Sequence, residues 1–154
     1  MSGAIEACSI DLLKNELAAE VVRSFGTLAL RVCGTSMLPA IRPGDRLTVR
    51  RCAIGDVRIG DVVLALRERR LIAHRVISHL GQSLLTCGDA VAEPDMPVSE
   101  TELLGKVSRV LRGGKSLAPE STFSGRVAAR LFRRSRTACG LFARLQSLQA
   151  RDRR

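Results

Sequence analysis

With 154 residues, the chain is long enough for one domain with a hydrophobic core and an additional segment. It has four phenylalanines and neither tryptophan nor tyrosine, which argues against the base-stacking surfaces of single-strand nucleic-acid binders. The net charge of +10 indicates an anionic partner only where that charge is concentrated, so its distribution along the chain decides its meaning.

The basic charge is concentrated at the C-terminus. Residues 126–154 contain nine arginines and one aspartate, a balance of +8, whereas residues 1–125 contain 16 basic and 14 acidic residues, a balance of +2. The larger part of the chain is therefore nearly neutral, and any anionic partner is expected at the C-terminal tail.

The five cysteines are widely spread and have no C-x-x-C spacing: Cys8, Cys33, Cys52, Cys87 and Cys139. They predict neither a metal site nor a disulfide framework, and no cofactor is expected. We interpret them as reduced thiols of a cytoplasmic protein. No stretch has the pattern of a signal peptide, and no window approaches 18 apolar residues, so no transmembrane segment is predicted.

The first predicted element is a helix over residues 9–25, within an N-terminal helical segment placed at 1–26. Ser9 is a candidate N-cap, and Gly26 would end the helix. The apolar residues of one stripe are Ile10, Leu13, Leu17 and Val21.

A series of short strands is predicted over residues 27–111. Residues 27–33 and 45–51 alternate in polarity, residues 61–78 have the pattern of a hairpin with a charged tip at 67–70, and residues 83–89 and 102–111 add further strands. Their inward residues are predicted to include Leu28, Leu30, Val32, Leu47 and Val49. One leading helix and many short strands predict a mainly β fold, a compact antiparallel domain.

The C-terminal part is predicted to consist of a linker and a helix. Residues 112–125 are rich in Gly, Ser and Pro and indicate a flexible linker, and residues 126–154 combine a helical apolar stripe with arginines. Such a helix is typical of peripheral contact with an anionic membrane at its inner face, but an unstructured terminus fits the pattern equally well. Nucleic-acid binding is less favoured, because no base-reading residues accompany the arginines.

A lone serine, Ser36, lies in the turn-rich loop CGTSMLPAIRPGD at residues 33–45. A serine hydroxyl becomes nucleophilic when a neighbouring base accepts its proton, and histidine suits that role. His74 falls inside an apolar strand, where a polar group needs a partner, whereas His79 is expected to follow the strand in solvent. Asp89 and Asp95 are the carboxylates that could orient the imidazole.

Each of these residues also has a purely structural interpretation. Taken singly, Ser36 is typical of a turn, His74 of a hydrogen-bonded strand residue, and Asp89 and Asp95 of loops. Met37 would ordinarily be a core residue. Their spacing alone does not separate the two interpretations.

Five segments together resemble the boxes of the signal peptidase I and SOS-repressor (LexA-like) serine peptidase superfamily. In chain order they are SMLPAIRPGD, IGDVVLA, LIAHRVI, CGDAVAEPD and LLGKV. Their order and spacing are most similar to those of the ER and archaeal type of signal peptidase. The resemblance covers about residues 27–111, and it implies a catalytic β domain there.

The resemblance implies a serine endopeptidase that cleaves a precursor or leader peptide through an acyl-enzyme. Ser36 matches the nucleophile and His74 the general base. The triad acid falls on Asp95, with Asp89 as the competitor. The substrate would lie extended along strand edges, and backbone N–H groups, above all that of Ser36, would bind the oxyanion.

The same resemblance assigns substrate or oxyanion contacts to residues around the nucleophile: Gly34, Thr35, Met37 and Pro39. Gly34 stands where many signal peptidases carry a serine, so either the Thr35 hydroxyl or the backbone alone would complete the oxyanion hole.

Bacterial signal peptidases and SOS repressors use a lysine base, but here His74 occupies the base box. The three lysines, Lys14, Lys106 and Lys115, lie outside it, and Lys106 is expected to point outward from a strand.

Two other functions fit parts of the pattern. One is a non-catalytic peptide-binding module that keeps the fold, although the intact pair of Ser36 and His74 argues against it. The other is a transcriptional regulator, but a single N-terminal helix is too little for a helix-turn-helix. Substrate identity and oligomeric state are left open.

Overall fold

The computed structural model describes residues 3–119. Within this range one helix, α1, precedes eight strands, and a short 3₁₀ helix lies at Ile54–Asp56. The bounds are α1 Gly3–Phe25, β1 Thr27–Arg31, β2 Arg46–Arg50, β3 Val62–Arg67, β4 Arg70–Leu80, β5 Ser83–Cys87, β6 Val98–Ser99, β7 Leu103–Arg112 and β8 Lys115–Leu117.

The strands form one sheet in the order β1-β2-β7-β3-β4-β5-β6, and β8 pairs with the end of β7. Each pair of neighbouring strands in residues 3–119 is antiparallel. The predicted mainly β, antiparallel fold with a leading helix is thereby confirmed.

The sheet buries apolar side chains on both faces. Val62 and Leu64 of β3 belong to the cluster that packs against α1, while Val63 and Ala65 belong to a second cluster on the other face. The unbroken apolar run of β3 follows from this, because a strand covered on both faces has no polar side.

The helix α1 packs through small residues rather than through the predicted leucine stripe. Ala19 and Val22 are fully buried, whereas Leu13 and Leu17 are 65% and 64% exposed. The stripe therefore does not mark the buried face, because periodicity identifies an apolar face but not whether another element covers it. The inner face instead carries small side chains, which let a helix lie close to a sheet.

The prediction for the ends of α1 is wrong at the N-terminus and confirmed at the C-terminus. Ser9 lies inside the helix, which begins at Gly3, so its predicted N-cap role is wrong. Gly26 does end the helix: its φ is +73° and its N–H donates to the Val22 carbonyl at 2.9 Å. A left-handed residue of this kind favours glycine.

Two segments are more ordered than predicted. The β3–β4 tip is only Glu68–Arg69, both at positive φ, and β4 continues to Leu80, so the exposed His79 lies within the strand rather than after it. Strand β8 lies inside the predicted linker 112–125, because Gly113 and Gly114 form a turn that folds the chain back on β7. The remainder of that linker and the tail, residues 120–154, lie outside the described residues.

Candidate active site

The loop that carries Ser36 connects β1 to β2 and is closed by backbone hydrogen bonds. The Val32 N–H donates to the Asp45 carbonyl at 2.9 Å, and the Gly44 N–H donates to the Val32 carbonyl at 2.8 Å. Met37 and Ile41, one helical turn apart, insert into the core and are 3% and 2% exposed. Ser36 is therefore presented by a loop whose two ends and one side are fixed.

Arg112, the last residue of β7, also binds this loop. Its guanidinium donates to both carboxylate oxygens of Asp45, at 2.9 and 2.7 Å, and to the Ala40 carbonyl at 2.9 Å. The hydrogen bonds from Arg112 hold the pKa of Asp45 below its usual value. The loop thus carries a charged clamp in addition to its apolar anchors.

His74 lies on β4 at the point where the strand loses one neighbour. It is opposite Val63 of β3, but β5 pairs with β4 only from Arg75 onward. The segment 71–73 is consequently open along the edge that β5 does not cover. The side chain of His74 itself is 12% exposed.

The structure brings Ser36, His74 and Asp95 into one line. The Nε2 atom of His74 lies 2.9 Å from Ser36 Oγ, and its Nδ1 atom lies 2.6 Å from Asp95 Oδ2. Thr86 donates its hydroxyl to the same Asp95 oxygen at 2.7 Å. This arrangement fits the neutral imidazole that carries its proton on Nδ1, because Nδ1 then donates to Asp95 and Nε2 can accept the serine proton.

The environment of Asp95 favours its carboxylate form. Burial acts to raise the pKa of Asp95, but the hydrogen bonds from His74 and Thr86 act against it, and the pKa lies below its usual value. The carboxylate is therefore ionised at neutral pH.

Asp89, the alternative acid, is engaged elsewhere. Both of its carboxylate oxygens accept hydrogen bonds from Arg75, at 2.8 and 2.7 Å, and both side chains are 3% exposed. Arg75 follows His74 in β4, and consecutive strand residues point to opposite faces. The candidacy of Asp89 as the orienting acid is thus not supported, because its carboxylate is bound to the guanidinium on the far side of the strand.

Gly88 allows the loop after β5 to approach the other two residues. A Cβ atom at this position would lie 2.7 Å from the Ser36 carbonyl oxygen and 3.1 Å from His74 Nε2. The Ser36 carbonyl also accepts the Ala90 N–H at 2.8 Å. The absence of a side chain at Gly88 is therefore a geometric requirement of the site.

The structure places the four predicted substrate and oxyanion residues differently. Gly34 and Met37 line a cleft together with Ser36 and His74. Pro39 lines a separate cavity near β8, and its contact with substrate stays a prediction. The exposed Thr35 lies beside Ser36 and accepts a hydrogen bond from the Leu38 N–H through its carbonyl.

The cleft beside Ser36 has a volume of about 650 Å³ and three walls. One wall is the end of β1 and the residues after it, the second is the first half of β4, and the third is α1. The residues of α1 in this wall are Lys14, Asn15 and Ala18. The lining is mostly apolar and includes two cationic residues, Lys14 and Arg31, without a carboxylate.

Sequence reasoning missed several residues of the site. Thr86 could have been noticed as a buried hydroxyl in a strand, which requires a partner. The lining residues of α1 gave no local signal, because their role depends on where the helix crosses the sheet.

The lysines are placed differently from one another. Lys106 lies on β7, where its side chain is 35% exposed and donates to Asp61 Oδ2 at 3.1 Å. Lys115 lies on β8, whereas Lys14 lines the cleft.

An antiparallel β domain that holds a serine hydroxyl, an imidazole and a carboxylate in line has the arrangement of a serine peptidase. A family model described as Peptidase S24-like matches residues 6–108, about two thirds of the chain. The chain belongs to this Peptidase S24-like family, which confirms the resemblance at the level of the LexA and signal peptidase I superfamily. The ER and archaeal type stays a prediction.

Two further findings accompany this assignment. No curated protein matches the chain significantly. Between residues 3 and 119, no helix combines the length and the apolar character needed to cross a bilayer.

Proposed function

We propose that this protein is a serine endopeptidase that cleaves a precursor or leader peptide, with Ser36 as nucleophile, His74 as general base and Asp95 as the orienting acid. The observation that carries the proposal is the continuous contact from Asp95 Oδ2 through the imidazole to Ser36 Oγ, at 2.6 and 2.9 Å. In this arrangement the serine proton has an acceptor before the substrate binds.

The proposed reaction proceeds in two transfers. Ser36 Oγ attacks the peptide carbonyl carbon while its proton passes to His74 Nε2. The C–N bond then breaks, and the leaving amine takes that proton from the imidazolium, which leaves an ester on Ser36. Water, deprotonated by His74, hydrolyses the ester and regenerates the hydroxyl.

The oxyanion of each tetrahedral intermediate is proposed to accept the backbone N–H of Ser36. Gly34 and Thr35 precede it in the same loop, and Met37 anchors that loop in the core. A fixed donor of this kind stabilises the developing charge without reorganisation, which is worth about 10²–10³ in rate in other serine peptidases.

The shape of the cleft supports an extended peptide as substrate. The edge of β4 at residues 71–73 is open beside His74, and β1 is the terminal strand of the sheet on the opposite side of the cleft. A peptide that adds as a strand between these edges would bring a backbone carbonyl to Ser36. The apolar lining favours apolar side chains at the positions it encloses.

The test is covalent labelling with a fluorophosphonate followed by peptide mapping. We expect an adduct on Ser36 that is absent from Ser36→Ala and strongly slowed in His74→Gln. Ser24→Ala, which removes an exposed hydroxyl bonded to Glu20, is the matched control and should label like the unmodified protein.

Two outcomes would contradict the proposal. A folded protein that gives no adduct would indicate the non-catalytic peptide-binding alternative. Loss of labelling in Lys14→Gln with retention in His74→Gln would transfer the base role to the lysine that lines the cleft.

A further inference from the structure

The segment that carries Asp95 is held before the acid by the Ala90 N–H, which donates to the Ser36 carbonyl at 2.8 Å, and by the Cys87 thiol, which donates to the Val91 carbonyl at 3.3 Å. It connects β5 to β6 over residues 88–97, and Asp95 is tied to β5 by its N–H, which donates to the Thr86 carbonyl at 2.8 Å. The next residue, Met96, is 72% exposed. Side-chain burial therefore does not fix the chain immediately after the acid.

Arg67, the last residue of β3, supplies that fixation. Its Nη1 atom donates to the Met96 carbonyl and its Nη2 atom donates to the Pro97 carbonyl, each at 2.7 Å. Both carbonyls belong to the two residues that follow Asp95. The guanidinium thus binds the backbone of the acid-bearing segment directly.

Glu102 holds the guanidinium in this position. Arg67 Nε lies 2.8 Å from Glu102 Oε1, and Nη2 lies 3.2 Å from Oε2. Ser99 donates its N–H and its hydroxyl to Glu102 Oε2 at 2.8 and 2.9 Å. A carboxylate bound on two sides is a fixed counterion, and a guanidinium fork keeps its geometry better than a lysine would.

The pair is partly shielded from solvent. The side chains of Arg67 and Glu102 are 19% and 27% exposed. The hydrogen bonds from Arg67 are the main cause that lowers the pKa of Glu102 to about 2. Glu102 consequently stays ionised over the whole range in which a peptidase of this kind would work.

We infer that Arg67 is a positioning residue for the proposed catalytic acid: it holds residues 96–97 so that the Asp95 carboxylate stays in line with His74 Nδ1. The inference rests on the proposed function for its catalytic meaning, but its structural content concerns only the contact between Asp95 and His74. Loss of the clamp is expected to release the acid rather than to unfold the domain, because the core clusters do not include Arg67.

Imidazole NMR provides a test that does not depend on peptidase activity. The sequence has two histidines, and His79→Gln assigns the signals. In the unmodified protein we expect the proton of neutral His74 on Nδ1, with a strongly downfield resonance from its bond to Asp95. In Arg67→Gln that resonance should broaden or disappear, and both tautomers should be populated.

The rate of fluorophosphonate labelling is the second measurement. Misplacement of a catalytic group by about 1 Å can cost on the order of a hundredfold in rate. We expect labelling of Arg67→Gln to be slowed between about tenfold and a hundredfold. Arg67→Lys and Glu102→Gln should show smaller losses, because each keeps a cation near the two carbonyls.

Arg69→Gln is the matched control for the NMR measurement. Arg69 also binds a carboxylate through two nitrogens, at 2.7 and 3.0 Å, but its partner is Glu16 of α1. It should leave the His74 tautomer and the labelling rate unchanged.

The outcomes separate the two proposals. An Arg67→Gln protein that is less stable but keeps the Nδ1 resonance and the labelling rate of the unmodified protein would overturn the inference. If Arg67→Gln fails to fold, the same comparison in Glu102→Gln and Arg67→Lys decides it, and an unchanged tautomer in both would overturn it. Absence of labelling in the unmodified protein would contradict the proposed function, while the NMR comparison would still decide the role of Arg67.

Discussion

Asp95 and Asp89 lie six positions apart, yet their substitution should have different effects. Asp95→Asn keeps the acceptor for Thr86 but no longer stabilises the correct tautomer or the imidazolium of His74. We expect kcat to fall by roughly 10³–10⁴-fold with little change in stability. Asp89→Asn leaves the buried Arg75 without its counterion, and we expect a loss of about 3 kcal/mol in the free energy of unfolding.

Kinetics and chemical denaturation of the two variants measure these effects separately. The assignment would be reversed if Asp89→Asn abolished turnover in a stable protein while Asp95→Asn remained active. Such a result would require Asp89 to exchange its Arg75 contacts for His74 in solution.

The site has no room for a side chain at position 88, which is occupied by Gly88. Gly88→Ala would place a methyl group against the Ser36 carbonyl and His74 Nε2, and we expect lower labelling of Ser36 together with lower stability. Gly55→Ala is the control, because nothing lies within 4 Å of a Cβ atom there. Equal behaviour of the two variants would mean that the loop after β5 moves away without affecting the site.

At the scale of elements, α1 belongs to both the core and the cleft. Ala18 lines the cleft, so Ala18→Leu should fill part of it and raise KM for a peptide substrate, with a fall in kcat/KM of about tenfold or more. Leu17→Ala is the matched control, because Leu17 immediately precedes Ala18 and is 64% exposed. A normal KM for Ala18→Leu would show that the substrate does not occupy this part of the cleft.

The strands can be predicted from the sequence because polar and apolar residues alternate within each short segment. Leu47 and Val49 are fully buried on β2, and Leu28 and Leu30 are half-buried on β1, as predicted. The segment around Ser36 was recognisable because its residue types follow one another directly in the chain.

Contacts between segments that are far apart in the chain cannot be predicted in this way. Arg67 precedes the carbonyls that it binds by about 30 residues, and no periodicity relates it to Met96 or Pro97. The inner face of α1 could not be identified from the sequence, because an apolar pattern gives Leu13 and Leu17 more weight than Ala19. The resemblance places the acid at Asp95 with Asp89 as the competitor, but only the fold shows that the Asp89 carboxylate pairs with Arg75.

At the scale of the whole molecule, several carboxylates make stability depend on pH. The pKa of Glu102 lies at about 2 in the folded protein against an ordinary value of 4.5, and the pKa of Asp45 is also lowered by its arginine partner. The unfolded chain therefore takes up protons first as the pH falls. The stability that Glu102 contributes is complete above about pH 4.5 and is lost towards pH 2.

Denaturant unfolding between pH 2 and pH 7 measures this dependence. Glu102→Gln should be less stable at neutral pH and should show a smaller decline between pH 4.5 and about 2. An identical decline in both proteins would mean that the clamp between Arg67 and Glu102 does not persist in solution.

The tail is the second feature at this scale. Residues 126–154 carry a balance of +8 and lie outside the described residues, so their membrane contact stays a proposal. We expect the full chain to sediment with anionic liposomes at low salt and to be released at high salt, since surface charges are screened within about 10 Å at 0.1 M. A chain ending at residue 125 should remain in the supernatant while still labelling at Ser36. Full-length protein that stays in the supernatant at low salt would contradict the membrane role.

The helical wall of the cleft has a consequence for peptide selectivity under the proposed function. Residues 14, 15 and 18 face the cleft from one helix, while Ala19 and Val22 anchor that helix on the sheet. Ala18 offers its space to the cleft alone, whereas Asn15 also donates to the Arg69 carbonyl at 3.0 Å and so ties the helix to the β3–β4 tip. Under the proposed function, proteins that share this sheet and differ at position 18 are expected to accept different peptides.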